Sequence, residues 1–418
     1  MNLLIIGGGG REHALAWKLR QSPRAGRIAV APGNGGTGDN VALDPRDHGG
    51  VVSWCRAQGI DLVVIGPEGP LADGLGDSLR EAGIRVFGPG RDGARLEGSK
   101  VFAKEFMQRH GVATAAFRAA RSPAQARTFV EEFSAGMVLK FDGLASGKGV
   151  FVCGSVPEAL EALDVLERRH GPDAALILEE RLAGRELSIL GVTDGRTMRL
   201  LPPSQDHKQL LDGDRGPNTG GMGAFCPVPF YDADLAARVD QEIVAPTLRG
   251  LRAEGIEFQG VLYFGIMVTA QGPRLLEYNV RLGDPEAEVV LPALRSDLLD
   301  LMVACTDGGL EDCATEFDDG AWVDVVLASR GYPGTPVTGF EIQGLGELSP
   351  ETLVFHGGTR REGDRLVTAG GRVLNVVVRG HDLDDALGRV YDEVAKIRFD
   401  GCLFRTDIGR RGDGRRMP

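Results

Sequence analysis

Short apolar strands alternate with helices through the first hundred residues of the chain. The pattern predicts strands at Leu3–Ile6, Ile28–Val30, Leu62–Ile65 and Arg85–Phe87, with helices at Glu12–Gln21 and Leu71–Ala82. This alternation is typical of a parallel, doubly wound sheet. Such sheets bind ligands beyond the carboxyl ends of their strands, and those ends carry Gly7–Glu12, Ala31–Thr37 and Gly66–Pro70.

Beyond residue 100 the pattern changes from alternating α/β to α+β. Ser99–His110 is predicted as a linking helix, and residues 121–190 as a compact unit that contains a glycine-rich loop. Ser204–Gly223 is too polar and too rich in glycine for regular structure, so we predict a long loop that serves function. After Trp322, short strands and one helix predict a small α+β domain. A chain of 418 residues is expected to form about two to four domains.

Composition excludes several classes of function. The net charge of −12 argues against a nucleic-acid-binding protein, because binding to a phosphate backbone requires a basic surface. A small anionic substrate remains compatible, since a local basic site can lie in an acidic protein. No apolar run approaches the roughly 20 residues of a membrane span, and the first residues lead directly into a strand. We therefore expect no membrane association and a cytoplasmic location.

The cysteines show neither a disulfide framework nor a metal-binding pattern. They are widely spaced, without a CxxC pair or a Cys/His cluster: Cys55, Cys153, Cys226, Cys305, Cys313 and Cys402. We predict that they are reduced and mostly buried.

Two distant segments carry the strongest chemical signal. Lys140–Gly149 is a strand that ends in lysine, followed by a glycine-rich loop with a second lysine. In Glu277–Glu286, the residues Glu277, Asn279 and Arg281 are spaced to share one face of an extended strand. A carboxylate and an amide oxygen suit Mg²⁺, which often bridges substrate phosphates. Together the segments predict a site that clamps a nucleoside triphosphate.

The glycine run Gly7–Glu12 invites comparison with dinucleotide-binding proteins. However, Glu12 occupies the position where the dinucleotide motif needs glycine or alanine, and the second strand ends in Ala31-Pro32-Gly33-Asn34 without an acidic residue for the ribose. A glycine turn before a helix still binds anions through backbone N–H groups. A sugar-phosphate site that uses Glu12 and Asn34 therefore fits better, and a strand–helix turn without a ligand remains the alternative.

These motifs resemble the ATP-grasp ligases and, more narrowly, the phosphoribosylamine–glycine ligase family. The matching segments are Gly9–Trp17, Ala31–Asn34, Gly66–Glu68, Leu96–Lys100, Lys140–Gly149, Ser204–Lys208, Gly216–Ala224, Glu277–Glu286, Gly331–Gly334 and Arg405–Gly409. The Gly216–Ala224 string, taken with Asp206-His207-Lys208, is the most specific of them. The chain departs from the family pattern at Phe141, where a small residue is expected, and at Leu282, where phenylalanine is expected.

The resemblance implies an α/β and α+β multidomain fold. It consists of an N-terminal doubly wound parallel-sheet domain (residues 1–103) that binds phosphoribosylamine, an ATP-grasp core (104–120 and 187–322), a mobile lid subdomain (121–186), and a small C-terminal α+β domain (323–418). The implied reaction activates glycine with ATP as glycyl phosphate, which the amine of 5-phosphoribosylamine then attacks. Catalysis of this kind depends on positioning and on neutralising charge.

The resemblance also implies roles for individual residues. Glu277 and Asn279 are the expected ligands of Mg²⁺ or Mn²⁺, although the region about a dozen residues upstream, Tyr263–Met267, lacks the second acidic ligand common in ATP-grasp sites. Arg281, Asp214 and Lys148 are the expected catalytic residues. Asp214 would bind the ammonium of glycine or accept a proton, and His207 could be either structural or catalytic.

The implied binding residues form two sets. A single lysine at a strand end is usually only solvated, but here three lysines recur on a helix, a strand end and a glycine loop. The ATP-binding set is Lys104, Lys140, Ser146, Gly147, Lys148, Gly149, Glu179, Glu180, Leu182 and Glu186. The substrate-binding set is Gly10, Arg11, Glu12, Asn34, Gly35, Pro67, Glu68, Asp206, Lys208, Asp212, Asn218, Thr219, Gly220, Arg281, Gly283 and Asp284.

Other readings of the sequence remain open. Another ATP-grasp carboxylate–amine ligase, or an ATP-dependent carboxylase of purine biosynthesis, would share the clamp but not the Asp206–Ala224 motifs. A nicotinamide oxidoreductase is disfavoured by Glu12, and a nucleotide sensor would not need Glu277, Asn279 and Arg281 together. The expected partners are small molecules, and the protein is expected to be a monomer or a weak dimer.

Overall fold

The computed structural model describes residues 1–144 and 149–410, and its first unit is a four-stranded sheet. The elements are β1 (Leu3–Gly7), α1 (Gly10–Leu19), β2 (Ile28–Pro32), α2 (His48–Gln58), β3 (Leu62–Ile65), α3 (Glu68–Asp73), α4 (Leu75–Glu81), β4 (Arg85–Phe87) and α5 (Arg91–Gly98). All strands are parallel, in the order β2-β1-β3-β4, which confirms the predicted sheet. The helix predicted at Leu71–Ala82 is divided at Gly74, whose φ of +85° ends α3.

The second unit contains the predicted lid. Its elements are α6 (Lys100–His110), β5 (Phe117–Ala120), α7 (Pro123–Arg127), β6 (Met137–Phe141), β7 (Val150–Cys153), α8 (Val156–His170) and β8 (Leu176–Glu180). The strands form an antiparallel sheet in the order β5-β8-β6-β7. Its buried apolar residues and those of α8 form a cluster of their own, separate from the two larger cores.

The third unit provides the strands beneath the site. Its elements are β9 (Arg185–Thr193), β10 (Met198–Leu200), β11 (Gln205–Asp206), β12 (Gln209–Leu211), β13 (Arg215–Asn218), β14 (Gly223–Cys226), α9 (Ala233–Val239), α10 (Ala245–Ala253), β15 (Gly260–Thr269), β16 (Gly272–Asn279), α11 (Ala287–Ala293) and α12 (Leu298–Asp307). An antiparallel sheet runs β10-β9-β15-β16. A π-helical turn at Asp240–Val244 joins α9 to α10.

The prediction that Ser204–Gly223, the polar loop, lacks regular structure was wrong. Within it β12 and β13 pair as an antiparallel hairpin, and β11 pairs with β14. All four residues of β13 are exposed, so backbone pairing rather than apolar burial makes this strand. The turn holds Gly213 at φ +72° and Asp214 at φ +53°, conformations that glycine, aspartate and asparagine adopt most readily.

The C-terminal unit contains an antiparallel sheet that also includes β11 of the polar loop and the strand that follows the loop, β14. Its elements are β17 (Ala321–Ala328), β18 (Leu353–His356), β19 (Thr359–Glu362), β20 (Arg365–Thr368), β21 (Arg372–Gly380) and α13 (Leu383–Val394). The strand order is β11-β14-β17-β21-β18, with β14 antiparallel to β17. The multidomain α/β and α+β class is therefore confirmed. Within the described residues, no helix has the length and apolar character needed to cross a membrane.

Candidate active site

A cavity of about 1050 Å³ opens between the N-terminal sheet, the lid sheet, β16 and the polar loop. Most of the residues predicted from sequence line it: Arg11, Glu12, Pro67, Glu68, Lys104, Lys140, Gly149, Glu179, Glu180, Leu182, Glu186, Asp206, Lys208, Asn218, Thr219, Gly220, Glu277, Asn279, Arg281, Gly283 and Asp284. The fold thus brings motifs from opposite halves of the chain to one space.

The remaining predicted residues lie elsewhere. Those that do not line the cavity are Gly10, Asn34, Gly35, Asp212 and Asp214. Ser146, Gly147 and Lys148 lie outside the described residues, so their expected contacts stay predictions.

Two lysines of the predicted phosphate site share one buried carboxylate. Lys104, on α6, lies 2.5 Å from Glu179 Oε2, and Lys140, at the end of β6, forms an ion pair with the other oxygen of Glu179. Burial lowers the pKa of Lys104. Burial also acts to lower the pKa of Lys140, but the charges of Glu179 and Glu277 outweigh it and raise that pKa. The result is a compact positive patch with its own counter-ion.

The alternation of β16 places its polar residues on the cavity side. Tyr278 and Val280 are each 1% exposed and point into the core, where the Tyr278 hydroxyl lies 2.7 Å from Thr247 Oγ1. The residues that alternate with them, Glu277, Asn279 and Arg281, line the cavity. The predicted common face is therefore confirmed by geometry, because side chains along a strand alternate between its two sides.

The Glu277–Asn279 pair suits a hard divalent cation. Within residues 1–144 and 149–410, neither side chain takes part in a hydrogen bond or ion pair. The Glu277 carboxylate and the Asn279 amide oxygen are therefore available to a ligand. Gly265 faces Glu277 across the β15–β16 pair and supplies no carboxylate there. No cluster of three or more acidic, histidine or cysteine side chains suited to a metal occurs among the described residues. Mg²⁺ fits such a site, since it takes few protein carboxylates and completes its shell with substrate phosphates and water.

Arg281, which lines the cavity, lies beside two acidic residues. Its Nη2 donates to Glu97 Oε1 at 2.9 Å, and its Nε lies 3.5 Å from Glu68 Oε2. Glu97 also lines the cavity and was not predicted as a site residue. Its sequence signal was present, because it lies within the matching segment Leu96–Lys100.

Hydrogen bonds from neighbouring side chains hold the glycine turn after β1. Glu12 Oε2 accepts a hydrogen bond from the Gly9 N–H at 2.6 Å, and its other oxygen accepts one from Arg11 at 2.6 Å. Asn34 is buried and donates to Gly8 O at 3.0 Å and to His356 O at 2.5 Å. The Asn34 amide therefore supports the turn instead of lining the cavity, and any effect on substrate must pass through the backbone of the turn.

The polar loop contributes a network of charged side chains. Lys208 Nζ donates to Glu186 Oε2 at 2.6 Å and to Asp206 Oδ1 at 2.8 Å. The Gly220 N–H donates to the hydroxyl of Tyr332 at 2.9 Å, and Arg372 donates to Gly220 O at 2.7 Å. The C-terminal unit thus holds the loop against the cavity, and sequence reasoning did not predict either of its two contacts.

The two loop carboxylates outside the cavity bind the C-terminal segment instead. Asp212 accepts a hydrogen bond from the Thr406 N–H at 2.8 Å. Asp214 lies 3.0 Å from Arg405 Nη1, and its neighbours His207 and Arg405 lower its pKa to about 2. A carboxylate with so low a pKa is a poor proton acceptor near neutrality. The predicted catalytic role of Asp214 gains no support from its position.

Glu286 is a buried carboxyl that lines the cavity and that sequence reasoning did not assign. Its Oε1 accepts a hydrogen bond from Ser188 Oγ at 3.1 Å. Burial and the nearby charge of Asp206 raise its pKa to about 7. An acid in this range can exchange a proton at neutral pH.

An apolar wall completes the cavity on the lid side. Its side chains come from α6, the lid strands and the β9–β15–β16 sheet: Met107, Val138, Ile177, Leu187, Ile266, Met267 and Leu276. Glu180 and Leu182 also line the cavity. An apolar slot of this kind suits a flat heteroaromatic base.

Comparison with known proteins supports this picture over the whole chain. Three family models of phosphoribosylglycinamide synthetase match the chain. The N-domain model matches residues 1–97, the ATP-grasp (A) domain model residues 98–287, and the C-domain model residues 322–411. Phosphoribosylamine–glycine ligase of Rhodopirellula baltica is 46% identical over 422 residues, covering 97% of each chain. The human trifunctional purine biosynthetic protein adenosine-3 is 44% identical, covering 98% of this chain and 42% of that protein.

Solved structures show the same fold. The crystal structure of phosphoribosylamine–glycine ligase from Thermotoga maritima has a TM-score of 0.84 and 37% identity, and the match covers 98% of this chain and all of that one. Biotin carboxylase from Campylobacter jejuni, in its β-γ-ATP complex, has a TM-score of 0.73 at 14% identity, covering 96% and 93% of the two chains. The second match shows a likeness of fold alone.

The fold and the cavity together define an ATP-grasp enzyme. The cavity is lined by a pair of lysines, a carboxylate–amide pair and an arginine, which come from segments far apart in the sequence. Within that class, the chain belongs to the phosphoribosylamine–glycine ligase family, also called phosphoribosylglycinamide synthetase.

Proposed function

We propose that this cavity joins glycine to 5-phosphoribosylamine in an ATP-dependent ligation of purine biosynthesis. The products are N1-(5-phosphoribosyl)glycinamide, ADP and phosphate, and the intermediate is glycyl phosphate. The observation that carries the proposal is the meeting, in one cavity, of the N-terminal glycine turn, the lysine pair, the Glu277–Asn279 pair and Arg281.

The first step requires two anions to approach each other. A carboxylate oxygen of glycine attacks the γ-phosphorus, and the bond to the bridging oxygen of ADP breaks. Lys104, Lys140 and Arg281 line the same cavity, and in this proposal the lysines neutralise the triphosphate while Arg281 neutralises the acyl phosphate. Preorganised cations of this kind are the main contribution of a protein to phosphoryl transfer.

A divalent cation belongs to this site. Glu277 and Asn279 are the residues that would hold it, and when bound it offsets negative charge on the phosphates. Mg²⁺ or Mn²⁺ is our proposal for its identity.

In the second step, the amine of phosphoribosylamine attacks the carbonyl carbon of glycyl phosphate. A C–N bond forms, the bond to phosphate breaks, and the amine loses one proton. The phosphate of the ribosyl substrate suits the N-terminus of α1, where Gly8 and Gly9 present backbone to the cavity and the helix dipole favours an anion. Arg11 and Glu12 lie beside this turn and suit the sugar.

An omission assay tests the proposal. ADP release and glycinamide ribonucleotide formation are measured with ATP, Mg²⁺, glycine and phosphoribosylamine, and then with each component left out. We expect ADP release to need both glycine and phosphoribosylamine. Release that continues without glycine, or that bicarbonate supports in its place, would point to a different ATP-grasp reaction. A cytoplasmic location and a monomeric or weakly dimeric state stay predictions.

A further inference from the structure

Glu97 occupies a position that none of the roles above explains. It lies near the end of α5, in the N-terminal unit, yet its carboxylate faces the strand end that follows Asn279. One oxygen accepts from Arg281 Nη2 at 2.9 Å, and the other accepts from the backbone N–H of Val280 at 2.8 Å. The residue is 9% exposed. Both carboxylate oxygens are thus committed to consecutive residues of one segment.

These two contacts fix both the strand and the side chain that it carries. Strand β16 ends at Asn279, so the Val280 N–H lies beyond the last pairing with β15, and Glu97 replaces the missing acceptor. Because Val280 lies between the proposed metal ligand Asn279 and Arg281, the same carboxylate limits rotation of the backbone next to both.

The hydrogen bonds of the Arg281 guanidinium leave one nitrogen without an acceptor. Its Nη1 donates to Leu282 O at 3.1 Å and its Nη2 to Glu97, while the buried Nε has no hydrogen-bond acceptor among the described residues. The carboxylate of Glu68 lies 3.5 Å from Nε, outside good hydrogen-bond geometry. A buried N–H without a hydrogen-bond acceptor is uncommon, and the Arg281 side chain is therefore held mainly by Glu97 where it lines the cavity.

We propose that Glu97 is a positioning residue, which orients Arg281 toward the acyl phosphate and holds the strand end that carries Asn279. The inference rests on the function proposed above. Glu97 touches no reacting atom itself, so its effect must pass through Arg281 and through the strand. It also couples the placement of the N-terminal unit to the geometry of the reaction centre.

The test compares Glu97→Gln with a matched control, Glu254→Gln. Glu254 also accepts hydrogen bonds from an arginine, with Arg109 Nε at 2.9 Å, and from His110 at 2.6 Å, but it does not line the cavity. Both variants lose one carboxylate charge and keep the side-chain size. Each is assayed for kcat and for KM of ATP, glycine and phosphoribosylamine, with thermal unfolding as the check on folding.

We expect Glu97→Gln to lower kcat by about 10²-fold, the cost of a reacting group displaced by about 1 Å, with KM for ATP nearly unchanged. Glu254→Gln should keep wild-type kcat. Arg281→Lys, alone and combined with Glu97→Gln, distinguishes positioning from general support of the fold. Because Glu97 acts partly through Arg281, the loss of kcat in the double variant should be smaller than the product of the two single losses.

Two results would overturn the inference while wild-type turnover is intact. One is a kcat of Glu97→Gln within about two-fold of Glu254→Gln, and the other is losses that multiply in the double variant. If Glu97→Gln does not fold, Glu97→Asp takes its place in the same comparison, since it keeps the charge and only shortens the reach. Absence of wild-type turnover with glycine and phosphoribosylamine would overturn the proposed function and this inference together.

Discussion

Replacing Glu179 by glutamine should destabilise the empty protein and should do so less when nucleotide is bound. The side chain is 2% exposed and pairs with both Lys104 and Lys140. Removing its charge leaves two buried ammonium groups without their shared partner. Breaking a buried ion pair by removing one member costs about 3–5 kcal/mol, and we expect a loss in the free energy of unfolding of that size.

A bound triphosphate should restore much of this loss. It supplies negative charge to both lysines, and a ligand that binds only the folded state stabilises it by mass action. The gap between wild type and Glu179→Gln should therefore narrow when a non-hydrolysable ATP analogue and Mg²⁺ are present. Urea unfolding followed by far-UV circular dichroism, with and without the analogue, measures this gap.

Glu132→Gln is the control within the same lid. Glu132 pairs with Arg118 at 2.8 Å, but both side chains are about half exposed, so its loss should cost at most about 1 kcal/mol. Equal destabilisation by the two substitutions, or a gap that the analogue leaves unchanged, would refute the reasoning.

The effect should also depend on pH. Burial acts to raise the pKa of Glu179, but the charges of Lys140 and Lys104 outweigh it and lower that pKa. The stabilisation that the Glu179 carboxylate gives is therefore present above its pKa in the unfolded chain, about 4.3. It is lost as the pH falls through the lower pKa of the folded protein. The difference between wild type and Glu179→Gln should shrink in acid.

Three further substitutions and one exchange measurement test other parts of the site. Glu277→Gln should reduce turnover strongly and raise the Mg²⁺ requirement, so unchanged activity at low Mg²⁺ would remove Glu277 from the metal site. Asn34→Ala should loosen the glycine turn and raise KM for phosphoribosylamine but not for ATP; the opposite pattern would place the nucleotide at the N-terminal sheet. Residues 149–153 of the lid should gain protection from hydrogen exchange when ATP binds, whereas equal protection with and without ATP would show a rigid element. Because the pKa of Glu286 is raised to about 7, wild-type stability should fall between about pH 4.3 and 7 relative to Glu286→Gln, and parallel pH profiles would contradict its burial as a titrating acid.

Local patterns were the part of the structure that sequence predicted well. The common face of Glu277, Asn279 and Arg281 follows from the two-residue period of a strand, and the N-terminal sheet follows from its alternation with helices. The contact of Glu97 with Arg281 joins residues 184 apart, and no periodic signal reports such a distance. Glu286 was hidden for the same reason, because its burial depends on how the third unit packs.

Two other differences have local causes. The hairpin of β12 and β13 is made by backbone pairing between polar residues, so a search for apolar strands misses it, although Asp212-Gly213 is a turn signal. Asn34 was correctly placed next to the glycine turn, but sequence cannot tell on which side of a turn an amide lies. In the structure the Asn34 amide lies on the side of the turn away from the cavity, where it donates hydrogen bonds to Gly8 O and His356 O.

The sheet shared by the polar loop and the C-terminal unit makes these regions inseparable in folding. Strand β14 pairs with β11 on one edge and with β17 on the other, and the far edge of β17 is paired with β21. During synthesis, β14 leaves the ribosome roughly a hundred residues before β17, and the edge that will pair with β17 has no partner until then. The sheet that holds the polar loop is therefore completed late. A chain that stops before residue 321 should expose an unpaired strand edge, and we expect it to aggregate rather than to keep a reduced activity. The C-terminal unit, which is made after the other three units, thus completes the candidate active site.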